Sequence, residues 1–265
     1  MQVIPHQLLN SEHIELWPAA LLRARGSHDA RLLARGDWLM RRKRDGRYLA
    51  VRLPQGWMPL VTRFWREPGV DEALGHLQRL DQLPRLPDAA PLPLHGLHER
   101  LAALGLDADD YATRSGLSLV AEPARLQLAG FDRYRRPLWL TAGAARQWLR
   151  MRQAAALEGV AMDAISGYRS HDYQLGIFER KFARGQALAQ ILQVNAAPGY
   201  SEHHGGDALD IGAPGEAPAE ESFEQAPAFA WLQRHAAAFG FAMSYPRGNP
   251  HGIVYEPWHW RYHAS

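Results

Sequence analysis

The amino-acid sequence predicts an α+β fold, in which strands and helices are mixed but do not alternate as regular βαβ units. Three observations lead to this prediction. The chain has 265 residues of which 46% are hydrophobic, enough to bury a substantial core. Hairpin signals occur in two separate places, and segments with helical apolar spacing lie between and after them. This mixture favours α+β over a doubly wound sheet.

The first ninety residues are predicted to form a smaller N-terminal domain that contains a β-hairpin. Residues 37–53 read as two short strands joined by a turn at Asp45–Gly46, which is a strong hairpin signal. The tip of this hairpin is basic, but Tyr48 alone is placed to stack on a base, so a solvated tip is favoured over a nucleic-acid site. Nothing in residues 1–90 indicates a role for this domain.

A proline-rich segment predicts a domain boundary. Residues 83–93 contain four prolines, and such a segment can continue neither a helix nor a central strand. Residues 94–106 have helical apolar spacing, and residues 107–117 read as a short capped helix. We therefore predict a linker within 83–93 and a helical connector over residues 91–125.

The remaining residues, 126–265, are predicted to form the larger C-terminal domain. A second hairpin covers 126–140 and turns near Asp132. Thr141 then caps a helix that runs to about Glu158, with apolar residues at the helical period. The other expected elements are a buried strand in 160–170, a helix over about 172–184, a strand in 207–212 and a helix within 223–241 that Gly240 closes.

The composition restricts the chemistry of the chain. It contains no cysteine, so disulfides, thiolate zinc sites and a cysteine nucleophile are excluded. A transition-metal site must therefore use histidine and carboxylate ligands. The formal net charge is +2, and nearly all the positive charge is arginine, since Lys43 and Lys181 are the two lysines. This bias is typical of genome composition, and we expect no nucleic-acid partner.

The sequence shows no signal for export or membrane insertion. No run approaches the roughly 18 consecutive apolar residues that span a bilayer. The first residues, MQVIPHQLLNSEHIELW, lack the basic start and the apolar core of a secretory signal. We therefore expect a cytoplasmic location and no membrane partner.

Two histidine-rich stretches suggest a metal site. YSEHHGGDALDIG (200–212) offers two histidines and two aspartates, and YEPWHWRYH (255–263) offers His259 and Glu256. The Gly205–Gly206 pair permits a sharp turn, after which Asp210 can point back from a strand. A hydrolytic zinc site needs about three such ligands, an open position for water and a nearby base. By spacing alone, a metal site and a chance grouping of histidines both remain open.

Other hydrolytic and nucleotide-binding chemistries do not fit. GYSEH (199–203) begins like a serine-hydrolase elbow but has histidine in place of the final glycine. Neither lysine lies in the S-x-x-K or K-T-G context of serine-type penicillin-binding enzymes, and there is no G-x-x-x-x-G-K phosphate loop.

Three motifs, in order, resemble those of the VanY-type D-Ala-D-Ala carboxypeptidases. These are LAS zinc metallopeptidases, related to lysostaphin-type peptidases and to the hedgehog domain. SGYRSHDYQ (166–174) resembles their S-G-Y-R-S element, SEHHGGDALD (201–210) their S-x-H-x-x-G-x-A-x-D signature, and EPWHWRY (256–262) their E-x-W-H-x-R-Y signature. The resemblance covers about residues 126–263. It implies a hedgehog-like, D-Ala-D-Ala-peptidase-like domain with an antiparallel sheet flanked by helices.

The resemblance also implies a role for each matching residue. One zinc ion would be held by His203, Asp210 and His259. Glu256 would be the general base that activates water and passes a proton to the leaving amine, and Arg169 would stabilise the developing oxyanion. The implied substrate contacts are Gln174, Ser201, Tyr168 and Trp258.

Two neighbouring residues that look like ligands fall outside the implied ligand set. His204 occupies a position where relatives often have a polar non-ligand, so we expect it to lie behind the ligands or to be exposed. Asp207 falls at a variable position, where we expect a solvated or turn-stabilising carboxylate.

The implied activity is removal of a terminal D-alanine from peptidoglycan stem peptides. A cytoplasmic enzyme would meet recycled tetrapeptides, and cleavage of D-Ala-D-Ala there would destroy new precursors. We therefore expect L,D-carboxypeptidase activity in cell-wall recycling. The alternatives are D,D-carboxypeptidase or D-Ala-D-Ala dipeptidase activity and, in another class, a non-catalytic zinc-containing module that binds cell-wall peptides.

Overall fold

The computed structural model describes residues 6–82 and 91–264. It divides into two compact units, Met1–Pro93 with Pro123–Leu128, and Leu94–Glu122 with Ala129–Ser265. Most of the segment expected from the sequence to be a connector is thus part of the second unit, and the start of the expected C-terminal domain is part of the first. Residues 83–90, which hold most of the expected linker, lie outside the described residues, as do residues 1–5.

The first unit contains an antiparallel sheet. Its strand order is β5-β4-β3-β2-β1-β6, and every neighbouring pair is antiparallel. The elements are β1 (Gln7–Asn10), β2 (Ile14–Pro18), α1 (Ser27–Leu33), β3 (Trp38–Arg42), β4 (Tyr48–Leu53), β5 (Gly56–Pro59), α2 (Val70–Gln82) and the start of β6 (Arg125–Phe131). The predicted hairpin of residues 37–53 is confirmed as β3 and β4, and β1, β2 and β5 extend it into a larger sheet.

Side-chain alternation gives this sheet a buried core on each face. Along β3, Trp38 and Met40 pack in one apolar cluster, while Leu39 between them packs in another. Helix α2 contributes Leu77 to the first cluster, and α1 contributes Leu33 to the second. Both faces are covered because successive residues of a strand point to opposite sides.

The second unit combines helices with a four-stranded antiparallel sheet. Its sheet has the order β10-β11-β9-β8. Besides the end of β6, this unit contains α3 (Leu97–Ala103), α4 (Ala108–Ser115), β7 (Pro137–Leu140), α5 (Ala142–Leu157), β8 (Asp163–Ser166), α6 (His171–Phe182), α7 (Leu188–Gln193), β9 (Ala208–Gly212), α8 (Pro227–His235), β10 (Phe241–Met243) and β11 (His259–Tyr262). The α+β class and an antiparallel sheet flanked by helices are therefore confirmed.

Local capping explains where several of these helices begin. The side chains of Asp107, Thr141 and Ser170 each accept a hydrogen bond from the backbone N–H three residues later, which satisfies a donor that the first helical turn leaves free. The helix expected within 223–241 is shorter than predicted. It begins at Pro227, whose fixed φ and missing N–H suit the first helical position, and a 3-10 turn follows it before Gly240 at φ 79°.

Helices α5 and α8 cover one face of the four-stranded sheet. Trp148 and Met151 of α5 and Trp231 of α8 pack with Leu209 and Ile211 of β9 in one apolar cluster. Leu149 of α5 also fits the helical apolar spacing, but this residue is 41% exposed. Consecutive helical residues lie about 100° apart, so the inward position of Trp148 turns its neighbour toward solvent.

No helix within residues 6–82 and 91–264 is both long enough and apolar enough to cross a lipid bilayer.

Candidate active site

Two neighbouring strands carry the polar centre of the site on the face opposite the helices. In β9, Leu209 and Ile211 face the core, so Asp210 between them faces the other way. In β11, Trp260 faces the core, which leaves His259 on the same face as Asp210. The two strands pair with His259 directly opposite Asp210, so cross-strand geometry brings these side chains together.

A third side chain reaches the same point from the turn before β9. His203 lies in a 3-10 turn, Glu202–Gly205, and Gly206 at φ 74° lets the chain reverse into the strand. His203 Nε2 lies 3.3 Å from Asp210 Oδ1, and His259 Nδ1 lies 3.1 Å from the same oxygen. One ligand atom from each residue lies within 4.8 Å of the others, and all three residues are buried.

The protonation pattern of His203 fits a metal ligand. Its Nδ1 donates a hydrogen bond of 2.7 Å to the carbonyl of Gly167, which leaves Nε2 with a free lone pair directed at Asp210. Within the described residues this buried Nε2 has no hydrogen-bond partner. Burial, helped by the charge of Arg169, lowers the pKa of His203 to about 4, so the ring is neutral as a ligand requires. Two imidazoles and one carboxylate are a donor set that zinc accepts.

Glu202 orients the second histidine. His259 Nε2 donates a hydrogen bond of 2.8 Å to Glu202 Oε2, so Nδ1 is the atom directed toward Asp210 and His203. The other oxygen of Glu202 accepts a hydrogen bond of 3.1 Å from Arg261. Burial opposes ionisation of Glu202, but its contacts with His259, Ser244 and Arg261 outweigh burial and lower its pKa to about 2. A carboxylate behind a ligating histidine is a common way to fix the ring and its tautomer.

The charges of Asp210 and His259 support each other in this buried position. Burial favours the neutral form of both groups. The contacts of Asp210 with His203 and His259, and those of His259 with Asp210 and Glu202, outweigh burial. The pKa of Asp210 lies well below its ordinary value, and that of His259 is raised to about 10. A metal cation would take the place of the proton on Nδ1 of His259.

His204 is fully buried and has both ring nitrogens occupied. Its Nδ1 donates to the backbone carbonyl of Arg169 at 2.7 Å, and its Nε2 accepts from the N–H of Gly199 at 3.0 Å. Burial, with the neighbouring His171, lowers its pKa well below the ordinary value. It therefore has no lone pair to offer a metal, and of the two positions expected from the sequence it takes the one behind the ligands.

Arg169 and Glu256 line one cavity of about 270 Å³ together with the three potential ligands. Burial raises the pKa of Glu256 to about 7, so this carboxyl group can both accept and release a proton near neutral pH. Its Oε2 lies 3.9 Å from His259 Nδ1. Within the described residues, the buried Nε of Arg169 has no hydrogen-bond partner.

Three of the four expected substrate contacts also line this cavity. They are Gln174, Ser201 and Trp258, and the buried Oε1 of Gln174 has no hydrogen-bond partner within the described residues. Tyr168 is not among the residues that line it; its hydroxyl instead donates to Glu122. Asp207 is partly buried and accepts a hydrogen bond of 2.5 Å from Thr141, the residue that caps α5.

Sequence reasoning missed several residues around the centre. Glu202 lies beside His203 in the motif, but no local pattern shows that it reaches His259. Tyr245 packs its ring 4.8 Å from that of His259 and lines the cavity. The cavity also has an apolar wall, formed by Val194, Ala196, Ile253 and Val254.

Comparison with known proteins identifies the family. The model of the family VanY, D-alanyl-D-alanine carboxypeptidase, matches residues 137–265. The bifunctional D-Ala-D-Ala dipeptidase and D-Ala-D-Ala carboxypeptidase VanXYC of Enterococcus gallinarum is 32% identical over 146 residues, which cover 53% of this chain and 75% of that protein. The chain belongs to the VanY family. Another relative, the putative carboxypeptidase YodJ of Bacillus subtilis, is 38% identical over 117 residues, 42% of each chain.

Other relatives and solved structures are also similar to part of the chain. The chain spans less than half the length of YodJ and of two enterococcal D-alanyl-D-alanine carboxypeptidases. The solved LD-carboxypeptidase LdcB is 34% identical, with a TM-score of 0.44 over 47% of this chain and 59% of that chain. A VanY D,D-pentapeptidase solved with Zn(II) is 31% identical, with a TM-score of 0.40 over 47% and 73%.

Proposed function

We propose that this VanY-family chain is a zinc-dependent carboxypeptidase that removes the terminal D-alanine from peptidoglycan stem peptides. One observation carries the proposal: three buried metal-type ligands, a carboxyl group with a raised pKa and an arginine line a single cavity. These are the parts that metal-assisted peptide hydrolysis needs.

Zinc would be held by His203 Nε2, Asp210 Oδ1 and His259 Nδ1, whose positions fit the ion as described above. When bound, such an ion polarises a carbonyl and makes water acidic at neutral pH. The chain's own contribution at this point is to keep both histidines in the correct tautomer, through Gly167 for His203 and Glu202 for His259.

Glu256 is the proposed general base and acid. It accepts a proton from the attacking water and donates one to the departing amine of D-alanine. Arg169 is the proposed electrostatic partner of the carbonyl oxygen, on which negative charge grows only in the transition state. A guanidinium group adds this stabilisation without a proton transfer.

The proposed substrate contacts are Gln174, Ser201, Trp258 and Tyr168. The amide of Gln174 donates to the carbonyl of Ala196 at 2.9 Å, which fixes its free Oε1 as an acceptor at the cavity. A peptide N–H is the complementary group on the substrate. The hydroxyl of Tyr168 is bonded to Glu122, and Tyr168 is the one member of this set that does not line the cavity.

For the scissile bond, we propose the L,D bond between the third residue and D-alanine of a tetrapeptide. Val194 and Val254 form an apolar rim that is 45% and 40% exposed. The aliphatic part of a long third residue would cover this rim, whereas a D-alanine methyl group would leave it bare. Cytoplasmic recycling remains the expected setting of the reaction.

The test is incubation of the purified protein with tetrapeptide and pentapeptide muropeptides, with and without a chelator, followed by mass analysis. We expect zinc-dependent loss of one alanine from the tetrapeptide. Loss of alanine from the pentapeptide alone would contradict the L,D proposal and support D,D activity. Peptide binding without turnover would support the non-catalytic alternative.

A paired substitution tests the mechanism. We expect Glu256→Gln to abolish measurable turnover but retain zinc, since Glu256 is not a ligand. Glu179→Gln, which changes an exposed carboxylate of α6, is the matched control and should behave like the wild type. Unchanged hydrolysis by Glu256→Gln would refute the assigned base.

A further inference from the structure

We infer that Glu122 is a positioning residue for Arg169, and that it acts by holding residues 168–171, the end of the loop after β8 and the first residue of α6. The inference rests on the proposed function of Arg169. Glu122 lies before residues 137–265, the region that the family model matches. The inference therefore makes the function of Arg169 depend on a residue outside that region.

Glu122 binds this loop on both sides of Arg169. One carboxylate oxygen accepts a hydrogen bond from the Tyr168 hydroxyl, one residue before the arginine. The other accepts a hydrogen bond of 2.8 Å from the backbone N–H of His171, two residues after it. Glu122 is only 5% exposed, so these contacts are made away from bulk water, where hydrogen bonds to a charged group are strong.

The backbone around Glu122 is also attached to the site. Val120 donates its N–H to the carbonyl of Gly199 at 2.7 Å and accepts a hydrogen bond of 2.8 Å from His171 Nε2. These bonds connect residues 120–122 to the start of α6 and to the segment that leads into Ser201. Glu122 is therefore held in place by two elements of the catalytic unit.

His204 extends the network to the arginine itself. Its ring packs edge-on against His171 with centroids 4.4 Å apart, and its Nδ1 holds the carbonyl of Arg169. The N–H of Arg169 donates to the carbonyl of His203 at 3.2 Å. The backbone on either side of the Arg169 side chain is thus fixed by the ligand-bearing turn and, through Tyr168 and His171, by Glu122.

Fixing this backbone matters because the arginine must meet a charge that exists only in the transition state. A misplacement of about 1 Å can cost about 100-fold in rate even when the change lies away from the reacting atoms. Glu122 contacts none of the three potential zinc ligands in the hydrogen bonds described above. Its loss should therefore reduce turnover while leaving zinc binding intact.

The experiment is a double-mutant cycle on the full chain with Glu122→Ala, Arg169→Ala and both together. We expect Arg169→Ala to lower kcat about 100- to 1000-fold. Glu122→Ala should lower kcat about 10- to 100-fold in the wild-type background and cause almost no further loss in the Arg169→Ala background. Zinc affinity, measured by competition with a chromophoric chelator, should not fall in any of the three variants.

Two further variants separate positioning from general destabilisation. Glu122→Gln keeps an oxygen that can accept from the His171 N–H, so it should recover most of the lost kcat. If Glu122→Ala does not fold, Glu122→Asp, whose shorter side chain should not reach both partners, takes its place in the cycle and should show the same pattern of loss. Glu99→Gln changes an exposed carboxylate of α3. It is the matched control and should leave kcat unchanged.

The outcomes distinguish failure of the proposed function of Arg169 from failure of the positioning role of Glu122. If Arg169→Ala leaves kcat unchanged, the proposed function of the arginine fails, and the role of Glu122 fails with it. If Arg169→Ala is impaired but Glu122→Ala retains wild-type kcat, or lowers kcat by the same factor in both backgrounds, the positioning role of Glu122 alone is refuted. A loss of zinc affinity in Glu122→Ala would also refute it.

Discussion

Three consecutive residues, Glu202, His203 and His204, have three different partners. Glu202 holds the second histidine, His203 points at Asp210, and His204 holds the backbone of Arg169. They can do so because they lie in a 3-10 turn, where three residues complete a turn and neighbouring side chains point about 120° apart. Adjacent histidines in a sequence therefore need not share a role.

The two histidines give opposite predictions for metal binding. His203→Ala removes one of three ligands and should abolish stoichiometric zinc binding. His204→Ala removes a side chain with no free lone pair and should retain the ion, although it should lower turnover through Arg169. Metal content by atomic absorption after dialysis checks both, and equal loss of zinc in the two variants would contradict the assignment.

Glu202 is predicted to set the strength of metal binding. Glu202→Ala should weaken zinc binding by about 10- to 100-fold, the usual effect of removing a carboxylate behind a ligating histidine. Chelator competition measures this change, with Glu179→Ala as the exposed control. Zinc affinity equal to that of the wild type would show that His259 needs no such support.

At the scale of elements, strand alternation and turns place the chemistry. The predictable features were local ones: the hairpin of 37–53, the caps of α4 and α5, and the strand that carries Asp210. The motif resemblance added His203, Asp210, His259, Glu256 and Arg169, which the structure brings together. Long-range partners such as Glu122 had no sequence signal, because periodicity reports which face of an element is buried and not what it contacts. Strands β1, β2 and β5 lack a turn signal as strong as Asp45–Gly46.

One glycine should be essential to the loop that carries Arg169. A Cβ at Gly167 would lie 2.8 Å from a Leu138 methyl group and 2.9 Å from the carbonyl oxygen of Trp139. The second contact is with backbone, which cannot move aside without a cost in free energy. We expect Gly167→Ala to lower the free energy of unfolding by about 1–3 kcal/mol, as overpacking does. It should also reduce turnover. Chemical denaturation and kcat measurements check this.

Gly176 in α6 is the matched control for that substitution. A Cβ there would meet only the mobile end of the Arg180 side chain, at 3.1 Å. Gly176→Ala should be neutral or stabilising by up to about 1 kcal/mol, because alanine favours the helix. If both variants lose the same stability, crowding at Gly167 is not the cause.

At the scale of the whole molecule, the region that the VanY family model matches covers about half of the chain. The matched region, 137–265, holds the proposed ligands, the proposed base and Arg169. The described strands and helices of Met1–Pro93 form a separate unit with its own core, for which neither the sequence nor the fold indicates an activity. The compact unit that contains these residues also includes Leu94–Glu122, so the family match does not mark its physical limits.

Removal of the metal should destabilise the unit that holds the proposed ligands, Leu94–Glu122 with Ala129–Ser265. An ion that binds only the folded state stabilises it by about 2.7 kcal/mol when its free concentration is 100 times Kd. We therefore expect a chelator to lower Tm and to speed amide hydrogen exchange in β9 and β11, where two of the ligands lie. If the amide exchange rates of β9 and β11 are the same with and without the chelator, zinc does not bind there.

The pairing of His259 with Asp210 makes metal uptake a test of strand alignment. If β11 slipped by one residue against β9, Trp260 would take the place of the histidine and the ligand set would be lost. A misfolded chain with near-native secondary structure would then remain metal-free. The bound ion could therefore report correct folding of this protein in refolding experiments, independently of its catalytic activity.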